Sequence, residues 1–269
     1  MQPARSVNAH PSPQPNRDAD IQRVVTLGAS NLTRGFGTVV STARAAWGPE
    51  VQVVGALGHG RSYGADSFFL ARRLPGILHS GLWRHLETAP PLRTRALITD
   101  VGNDIAYGCS ADQVLAWVEE AIARLARVTR DITLTDLPLA SMRRLSRAKF
   151  LAFRSVLAPS CRLPLAQVIE TAERIHSGLA ALASSRGVRF VHLNPGWYGF
   201  DPIHIRPSLW QSAWREILSG AGAPTNGGSA FEQWRLYLMA PERQWMFGVE
   251  RVTPQSGVRL PSGGRVWLY

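Results

Sequence analysis

The sequence predicts an α/β fold, a three-layer α/β/α sandwich around a parallel sheet of five strands. From residue 21 onward, short apolar runs alternate with longer segments of helical periodicity. Strands separated by helices indicate a parallel sheet. The runs are continuously apolar rather than alternating with polar residues, which is typical of strands covered by helices on both faces.

The elements follow from these two periodicities. Strands are predicted at 22–28, 51–55, 95–101, 131–136 and 188–193. Helices are predicted near 32–47, 66–75, 111–128, 142–157, 165–186, 208–218 and 230–239. Ligands of open parallel sheets bind beyond the carboxyl ends of the strands, so the loops that follow the strands are where functional residues are expected.

The 269 residues predict one large domain with an appendage. Residues 1–20 are polar and lack an apolar export signal, which predicts a disordered tail and a cytoplasmic protein. The main domain is predicted at 21–220. A C-terminal appendage is predicted at 221–269, with 245–249 and 265–269 as a β-hairpin. This appendage is expected to pack on the main domain or on a partner, including a second copy of the chain.

The composition argues against several classes of function. The formal net charge is +11, but Lys149 is the only lysine and the arginines are spread along the chain. A nucleic-acid footprint is usually a clustered patch, so no specific nucleic-acid partner is expected. No apolar run approaches the roughly 20 residues that cross a bilayer. Cys109 and Cys161 offer neither a disulfide framework nor a metal-ligand pair.

The apolar stretch that starts at Val24 ends at Gly28, and Ser30 follows two residues later. Because a helical pattern begins at Leu32, Ser30 is expected at the carboxyl edge of the sheet beside the start of a helix. Unpaired backbone N–H groups there favour developing negative charge. A serine so placed is a nucleophile if a base reaches it. The alternative is an N-cap or turn residue.

A glycine-rich loop, residues 58–64, follows the second predicted strand. Either Gly58 or Gly60 could turn a free backbone N–H toward a ligand, and the alternative is a turn without function. A dinucleotide-binding loop is rejected, because the glycine spacing is one residue too long and the loop does not follow the first strand.

Two further loops carry polar side chains. Asn103 follows the third predicted strand and is expected in the same crevice as Ser30, unless it only forms an Asx-turn. Asp201 and His204 share the loop after the fifth strand, where the carboxylate can orient the imidazole. Of the seven histidines, only His59 and His204 fall in loops expected at this edge. Together the loops supply the groups that acyl transfer requires.

On these residues the sequence resembles the SGNH (GDSL) hydrolase family, whose blocks centre on Ser, Gly, Asn and His. The blocks occur in order as residues 28–31, the loop with Gly60, residues 102–104, and Asp201 with His204. The resemblance covers roughly residues 22–207. It implies a flavodoxin-like sheet and an ester hydrolase that acts on a small-molecule substrate without a metal or an organic cofactor.

The resemblance also implies the role of each site residue. Ser30 is the nucleophile, His204 the general base, and Asp201 the carboxylate that orients the imidazole. The oxyanion hole consists of the backbone N–H groups of Ser30 and Gly60 and of the Asn103 amide.

Two departures from the family pattern bear on these roles. Ala29 stands where the family usually has an aspartate, so support of the turn before the nucleophile must come from elsewhere. Gly58 competes with Gly60 for the role of backbone donor.

Arginines follow three of the motif residues within four positions: Arg34, Arg61 and Arg206. They predict an electropositive mouth that prefers esters carrying an anionic group. The competing class of function is a non-catalytic binding or scaffolding protein that retains the fold and docks a partner through its C-terminal segment.

Overall fold

The computed structural model describes residues 21–157, 161–219 and 229–269. The predicted disordered tail at 1–20 lies outside the described residues. The strands are β1 (Gln22–Leu27), β2 (Gln52–Ala56), β3 (Ser67–Phe69), β4 (Arg72–Leu74), β5 (Arg93–Ile98), β6 (Ile132–Thr135), β7 (Arg189–Val191), β8 (Arg243–Met246), β9 (Val249–Val252), β10 (Val258–Arg259) and β11 (Arg265–Leu268).

Nine helices of the described residues cover or border these strands. They are α1 (Ser30–Arg34), α2 (Phe36–Trp47), α3 (Leu82–Thr88), α4 (Ala111–Leu125), α5 (Leu139–Met142), α6 (Arg147–Leu157), α7 (Leu165–Arg186), α8 (Trp210–Ser219) and α9 (Ala230–Tyr237). Short 3₁₀ turns lie at Ile77–His79, Val101–Tyr107, Pro195–Trp197 and Pro207–Leu209. None of the described helices is both long and apolar enough to span a bilayer.

The main sheet has the strand order β10-β11-β2-β1-β5-β6-β7. The strands from β11 to β7 run parallel, and β10 is antiparallel to β11. Val25 of β1 pairs with Val54 on one side and with Ala96 on the other. The predicted α/β class and its five parallel strands are therefore confirmed, in the order β2-β1-β5-β6-β7, and the sheet gains two strands from the C-terminal segment.

Successive residues of the central strands face two separate cores. Val25 and Leu27 pack with α4 and α7 on one side of the sheet. Val24 packs with α2 and α8 on the other side. Because side chains alternate along a strand, a continuously apolar strand needs a helical layer on each face. The two cores make this a three-layer α/β/α structure.

The helix predicted at 66–75 is wrong. This segment forms the β3–β4 hairpin, in which Ser67 pairs with Leu74, and its turn places Leu70 at a φ of +54°. β4 then pairs with β8, so β3, β4, β8 and β9 form a separate antiparallel sheet. The local sequence carries little trace of this pairing, because the partner strand lies far along the chain and tertiary context overrides local propensity.

The hairpin predicted between 245–249 and 265–269 is also wrong. The first segment turns at Phe247 and Gly248, both with positive φ, and divides between β8 and β9. The second segment forms β11, which lies beside β2 in the main sheet. A domain boundary near residue 220 stays a prediction. Beyond it, β11 lies beside β2 and α9 contacts α2, so these elements belong to the layers of the main sheet.

Candidate active site

Ser30 lies where β1 passes into α1, two residues beyond the glycine that follows the strand. A Cβ atom at Gly28 would approach Cγ2 of Thr99 to 2.7 Å, so a larger residue does not fit this turn without movement of its neighbour. Ser30 is the first residue of α1 and only 8% exposed. Its backbone N–H lies at a helix start, where such groups lack acceptors within the helix.

Three side chains from two distant parts of the chain form a hydrogen-bonded series. Oγ of Ser30 lies 2.9 Å from Nε2 of His204, and Nδ1 of His204 lies 2.7 Å from Oδ2 of Asp201. The tautomer with a proton on Nδ1 donates to Asp201 and leaves Nε2 to accept the Ser30 proton. The hydroxyl, the imidazole and the carboxylate are thus aligned for proton transfer from Ser30.

Asp201 is held as a carboxylate by its local contacts. Its Oδ1 accepts the backbone N–H groups of Ile203 and His204, each at 3.1 Å. Partial burial raises the pKa of Asp201, but these bonds and the contact with the His204 ring outweigh burial and lower the pKa below its usual value. Asp201 therefore remains ionised and able to stabilise a protonated His204.

Asn31 connects the helix that begins at Ser30 to the loop that carries His204. Its Nδ2 donates to the carbonyl of Ile203 at 2.9 Å, and its Oδ1 accepts the backbone N–H of Ile205 at 2.8 Å. These bonds flank His204 on both sides. The position of His204 relative to Ser30 is thus fixed by the residue directly after Ser30.

Asp100 supports the turn before Ser30, a role that the sequence analysis missed. Its Oδ2 accepts the backbone N–H groups of Ala29 and Leu32, each at 3.0 Å, and its Oδ1 accepts from Nδ2 of Asn31 at 2.9 Å. Ala29 cannot supply a carboxylate, and Asp100 supplies one from the next strand. The only hint in the sequence is its place at a strand end, three residues before Asn103.

The Asp100 backbone has a φ of +60°. This left-handed conformation is uncommon outside glycine, although Asp and Asn adopt it more readily than other residues. It turns the chain sharply from β5 into the Val101–Tyr107 turn, which carries Asn103. One residue thus positions both the nucleophile turn and the amide opposite it.

Asn103 and Gly60 border the same cavity as Ser30 and His204, with a volume of about 230 Å³. Nδ2 of Asn103 makes one long contact of 3.5 Å, to the Asp100 carbonyl. Gly60 has a φ of +66°, whereas Gly58 does not border this cavity and its Cα packs against Leu74. Position therefore favours Gly60 over Gly58 as the backbone donor.

The loop that carries Gly60 is held in place by hydrogen bonds to the buried carboxylate of Asp104. Asp104 accepts a hydrogen bond from the Ser62 hydroxyl and from the Tyr63 backbone N–H. The Tyr63 hydroxyl donates to the carbonyl of Thr99 at 2.7 Å. Burial raises the pKa of Asp104 to about 6, and these hydrogen bonds limit the rise. The second motif block is thereby attached to the third.

The three predicted substrate-contacting arginines lie in different environments. Arg34 borders the cavity of Ser30, with Nη1 at 3.9 Å from Oδ2 of Asp201. Arg61 is fully buried and donates to the carbonyls of Leu57, Pro75 and Tyr269, so its position does not fit a substrate contact. Arg206 donates to the carbonyl of Gly196 at 2.7 Å. Of the three, only Arg34 lies at the site.

His59 is a further residue at this cavity, and its ring stacks on Phe69 with centroids 5.2 Å apart. Burial is the largest cause that lowers its pKa, and the neighbouring charges of Arg72, His204 and Arg34 lower it further, to about 4. His59 is therefore a neutral imidazole at neutral pH. It adds a polar wall without adding charge.

A second Asp–His group lies at the same edge of the sheet. Asp136 accepts from Nδ1 of His176 at 2.6 Å and lies 3.1 Å from Nδ1 of His192. In the part of the chain that the structure describes, no group of His, Cys, Asp and Glu has the arrangement of a metal site.

The fold and site together define an α/β protein with a Ser–His–Asp hydrogen-bonded series at the carboxyl edge of a parallel sheet. No protein-family model matches the chain, and no curated protein matches it. Solved structures do resemble it.

Three of these structures illustrate the likeness. The native aryl esterase of M. smegmatis is 13% identical, with a TM-score of 0.49, and the match covers 73% of this chain and 96% of that one. TesA is 15% identical with a TM-score of 0.44, covering 73% and 96%. A member of the lipolytic protein G-D-S-L family from Veillonella parvula is 13% identical with a TM-score of 0.46, covering 74% and 97%.

Proposed function

We propose that this chain is a serine hydrolase of the SGNH (GDSL) type that cleaves carboxylic esters. The observation that carries the proposal is the 2.9 Å contact between Ser30 Oγ and His204 Nε2, with Asp201 at 2.7 Å from the other ring nitrogen. Such a series is the arrangement that activates a serine hydroxyl for acyl transfer.

In the first half of the reaction, Ser30 Oγ attacks the ester carbonyl carbon while His204 Nε2 takes the hydroxyl proton. The carbonyl oxygen becomes an oxyanion, for which the N–H groups of Ser30 and Gly60 and the Asn103 amide are the donors. His204 then gives its proton to the leaving alkoxide, and the alcohol departs. Asp201 stabilises the imidazolium throughout.

In the second half, water attacks the acyl group on Ser30 with His204 again as the base. The acid is released and the Ser30 hydroxyl is restored. Each proton taken by His204 is returned, so the cycle needs no other acid or base. No step calls for a metal or an organic cofactor.

Arg34 supports a narrower form of the predicted preference for anionic esters. It borders the cavity that holds His204, where the leaving alcohol must lie to receive its proton. We infer that an anionic group on the alcohol part is favoured there. Comparing neutral and carboxylated nitrophenyl esters over a range of salt concentrations tests this, because equal and salt-independent rates would contradict it.

The remaining expectations form part of the same proposal. The substrate is a small-molecule ester, the protein is cytoplasmic, and no specific nucleic acid is bound. Self-association is expected to involve the segment after residue 220.

The test of the proposal is hydrolysis of p-nitrophenyl butyrate by the unaltered protein and by Ser30→Ala. Loss of a nucleophile leaves only residual catalysis, so a fall in kcat of about 10⁴-fold or more is expected. The matched control is Ser177→Ala, which removes an exposed hydroxyl on α7. Equal rates for Ser30→Ala and the unaltered protein would remove Ser30 from the mechanism.

A further inference from the structure

Two cavities meet at Ser30, and both are also bordered by Asn103 and Ile203. The outer cavity, of about 230 Å³, is bordered by Ser30, Arg34, His59 and His204. The second cavity, called here the passage, has a volume of about 80 Å³. It is bordered by Ser30, Asn103, Leu137, Pro138 and Met142, and His204 does not border it.

The passage adjoins a third cavity, called here the inner cavity, with a volume of about 130 Å³. The two share Gly102, Asn103, Met142 and Ile203 as wall residues. A chain that leaves Ser30 through the passage therefore arrives at the inner cavity.

The inner cavity is apolar. Its main walls come from α5, α6, α7 and the loop between the first two: Met142, Leu145, Phe150, Phe153, Leu165 and Val168. The charged end of Arg154, another wall residue, lies within 3.5 Å of the Leu163 carbonyl. Phe153 also contacts Phe200, the residue before Asp201, with ring centroids 5.7 Å apart. Because most of these walls are apolar side chains, burial of an apolar ligand here is favourable.

The direction of proton transfer decides which half of the ester lies on which side. His204 must reach the leaving oxygen, so the alcohol part lies in the outer cavity, which His204 borders. The acyl part then extends past Asn103 into the passage, which borders Ser30 but not His204. The inner cavity is therefore on the acyl side.

We propose that the inner cavity binds the acyl chain and that the preferred substrates are esters of linear acids with about six to eight carbon atoms, since an apolar cavity of about 150 Å³ holds a six-carbon ring. This inference rests on the proposed function and names the substrate class of the same site. Acetyl esters reach only the passage. Chains longer than the cavity gain no further buried surface.

The test is kcat/KM for p-nitrophenyl esters from acetate to dodecanoate, at concentrations below micelle formation. Burial of each methylene contributes about 0.8 kcal/mol, or roughly fourfold. Four methylenes separate acetate from hexanoate, which sets an upper limit of roughly 250-fold. We expect a rise of at least about tenfold between these two esters and no further rise beyond about eight carbons. A flat series, or a maximum at acetate, would overturn the inference.

Val168→Phe places a ring in the inner cavity, and Gln167→Phe is the matched control because residue 167 is exposed on the same turn of α7. The ratio of hexanoate to acetate rates is expected to fall at least tenfold in Val168→Phe and to stay unchanged in Gln167→Phe. An unchanged ratio in Val168→Phe would contradict the assignment of the cavity.

Leu165→Phe, with Ala166→Phe as its control, repeats the test if Val168→Phe does not fold. Labelling of Ser30 by a fluorophosphonate separates the two levels of the proposal. If the protein is labelled but its chain-length series is flat, the proposed function is supported and the acyl-chain assignment of the inner cavity is contradicted. If the protein is neither labelled nor active on any ester, both the proposed function and the assignment of the inner cavity are contradicted.

Discussion

Two aspartate–histidine groups lie at the carboxyl edge of the same sheet, and they differ in what surrounds the imidazole. Asp201 pairs with His204, and Asp136 pairs with His176 and His192. In both groups the carboxylate contacts Nδ1, at distances between 2.6 and 3.1 Å. The carboxylate–imidazole contact is therefore common to a candidate catalytic group and to a group without an assigned role.

The difference lies at Nε2. Nε2 of His204 contacts Ser30, and the His204 side chain is 9% exposed. The side chain of His192 is 73% exposed and that of His176 is 33% exposed. Within the described ranges, no hydrogen bond joins Nε2 of either ring to another residue. A carboxylate can orient any histidine, but nucleophilic chemistry also requires a hydroxyl and oxyanion donors within reach.

The largest expected effect separates the two histidine groups directly. His204→Ala removes the base of Ser30 and should lower kcat for a p-nitrophenyl ester by about 10⁴-fold. His192→Ala removes the same ring from the other group and should leave kcat within about twofold. Steady-state kinetics on both variants measures this. Similar losses of kcat in the two variants would mean that activity does not depend on the contact between His204 and Ser30.

The next effect concerns the oxyanion donors, which the Asp136 group lacks among its described contacts. Asn103→Ala should lower kcat by about 10²- to 10³-fold, because one donor to the oxyanion is lost. The fold should be retained, as circular dichroism will show. Gln113→Ala removes an exposed amide from α4 and serves as the control. Full turnover by Asn103→Ala would take the amide out of the mechanism.

Asp104 is a third carboxylate for comparison, buried and bonded to Ser62 and Tyr63 instead of to a histidine. Burial raises the pKa of Asp104 from 3.8 to about 6. The folded protein thus binds the proton more tightly than the unfolded chain does. Its contribution to the free energy of unfolding is fully present below about pH 4 and is lost as the pH rises through about 6, by about 3 kcal/mol.

Denaturant unfolding of the unaltered protein and of Asp104→Asn, at pH 4 and at pH 7, measures this contribution. The free energy of unfolding of the unaltered protein, relative to the variant, should be greater at pH 4 than at pH 7. A difference that does not change with pH would show that Asp104 is not protonated in this range.

The smallest expected effect on turnover concerns Asp100, which acts by positioning Ser30. Asp100→Asn keeps a residue that tolerates the left-handed backbone. It replaces the carboxylate, which accepts the backbone N–H groups of Ala29 and Leu32, by a neutral amide. Misplacement of the nucleophile should lower kcat by about tenfold with little change in KM. Asp112→Asn, at an exposed site on α4, is the control. A rise in KM with unchanged kcat would mean that Asp100 serves binding instead.

Much of the site geometry follows from strand ends that the sequence makes visible. Ser30 and Asn103 lie just beyond the ends of predicted strands, and His204 lies on the loop after the fifth strand. Parallel strands bring such positions to one edge. Their spacing in the chain does not matter, since the sheet supplies the convergence. Their proximity was predicted for this reason, while their catalytic roles stay predictions.

The features that were missed depend on contacts between distant residues. Asp100 accepts a hydrogen bond from Ala29, which lies 71 positions earlier in the chain. Its backbone is in a left-handed conformation that no local sequence pattern predicts. Arg61 is buried because it donates to backbone carbonyls, among them that of Tyr269, 208 positions away. The β3–β4 hairpin is extended by β8, a strand from near the end of the described chain. Local propensity cannot report such partners.

The central claim is that Ser30, and no other serine, is activated by its histidine. Reaction with a fluorophosphonate followed by mass spectrometry of the digested protein tests this claim directly. We expect one adduct, on the peptide that contains Ser30, and no adduct in His204→Ala. An adduct on a different residue, or an unmodified Ser30 in the folded protein, would contradict it.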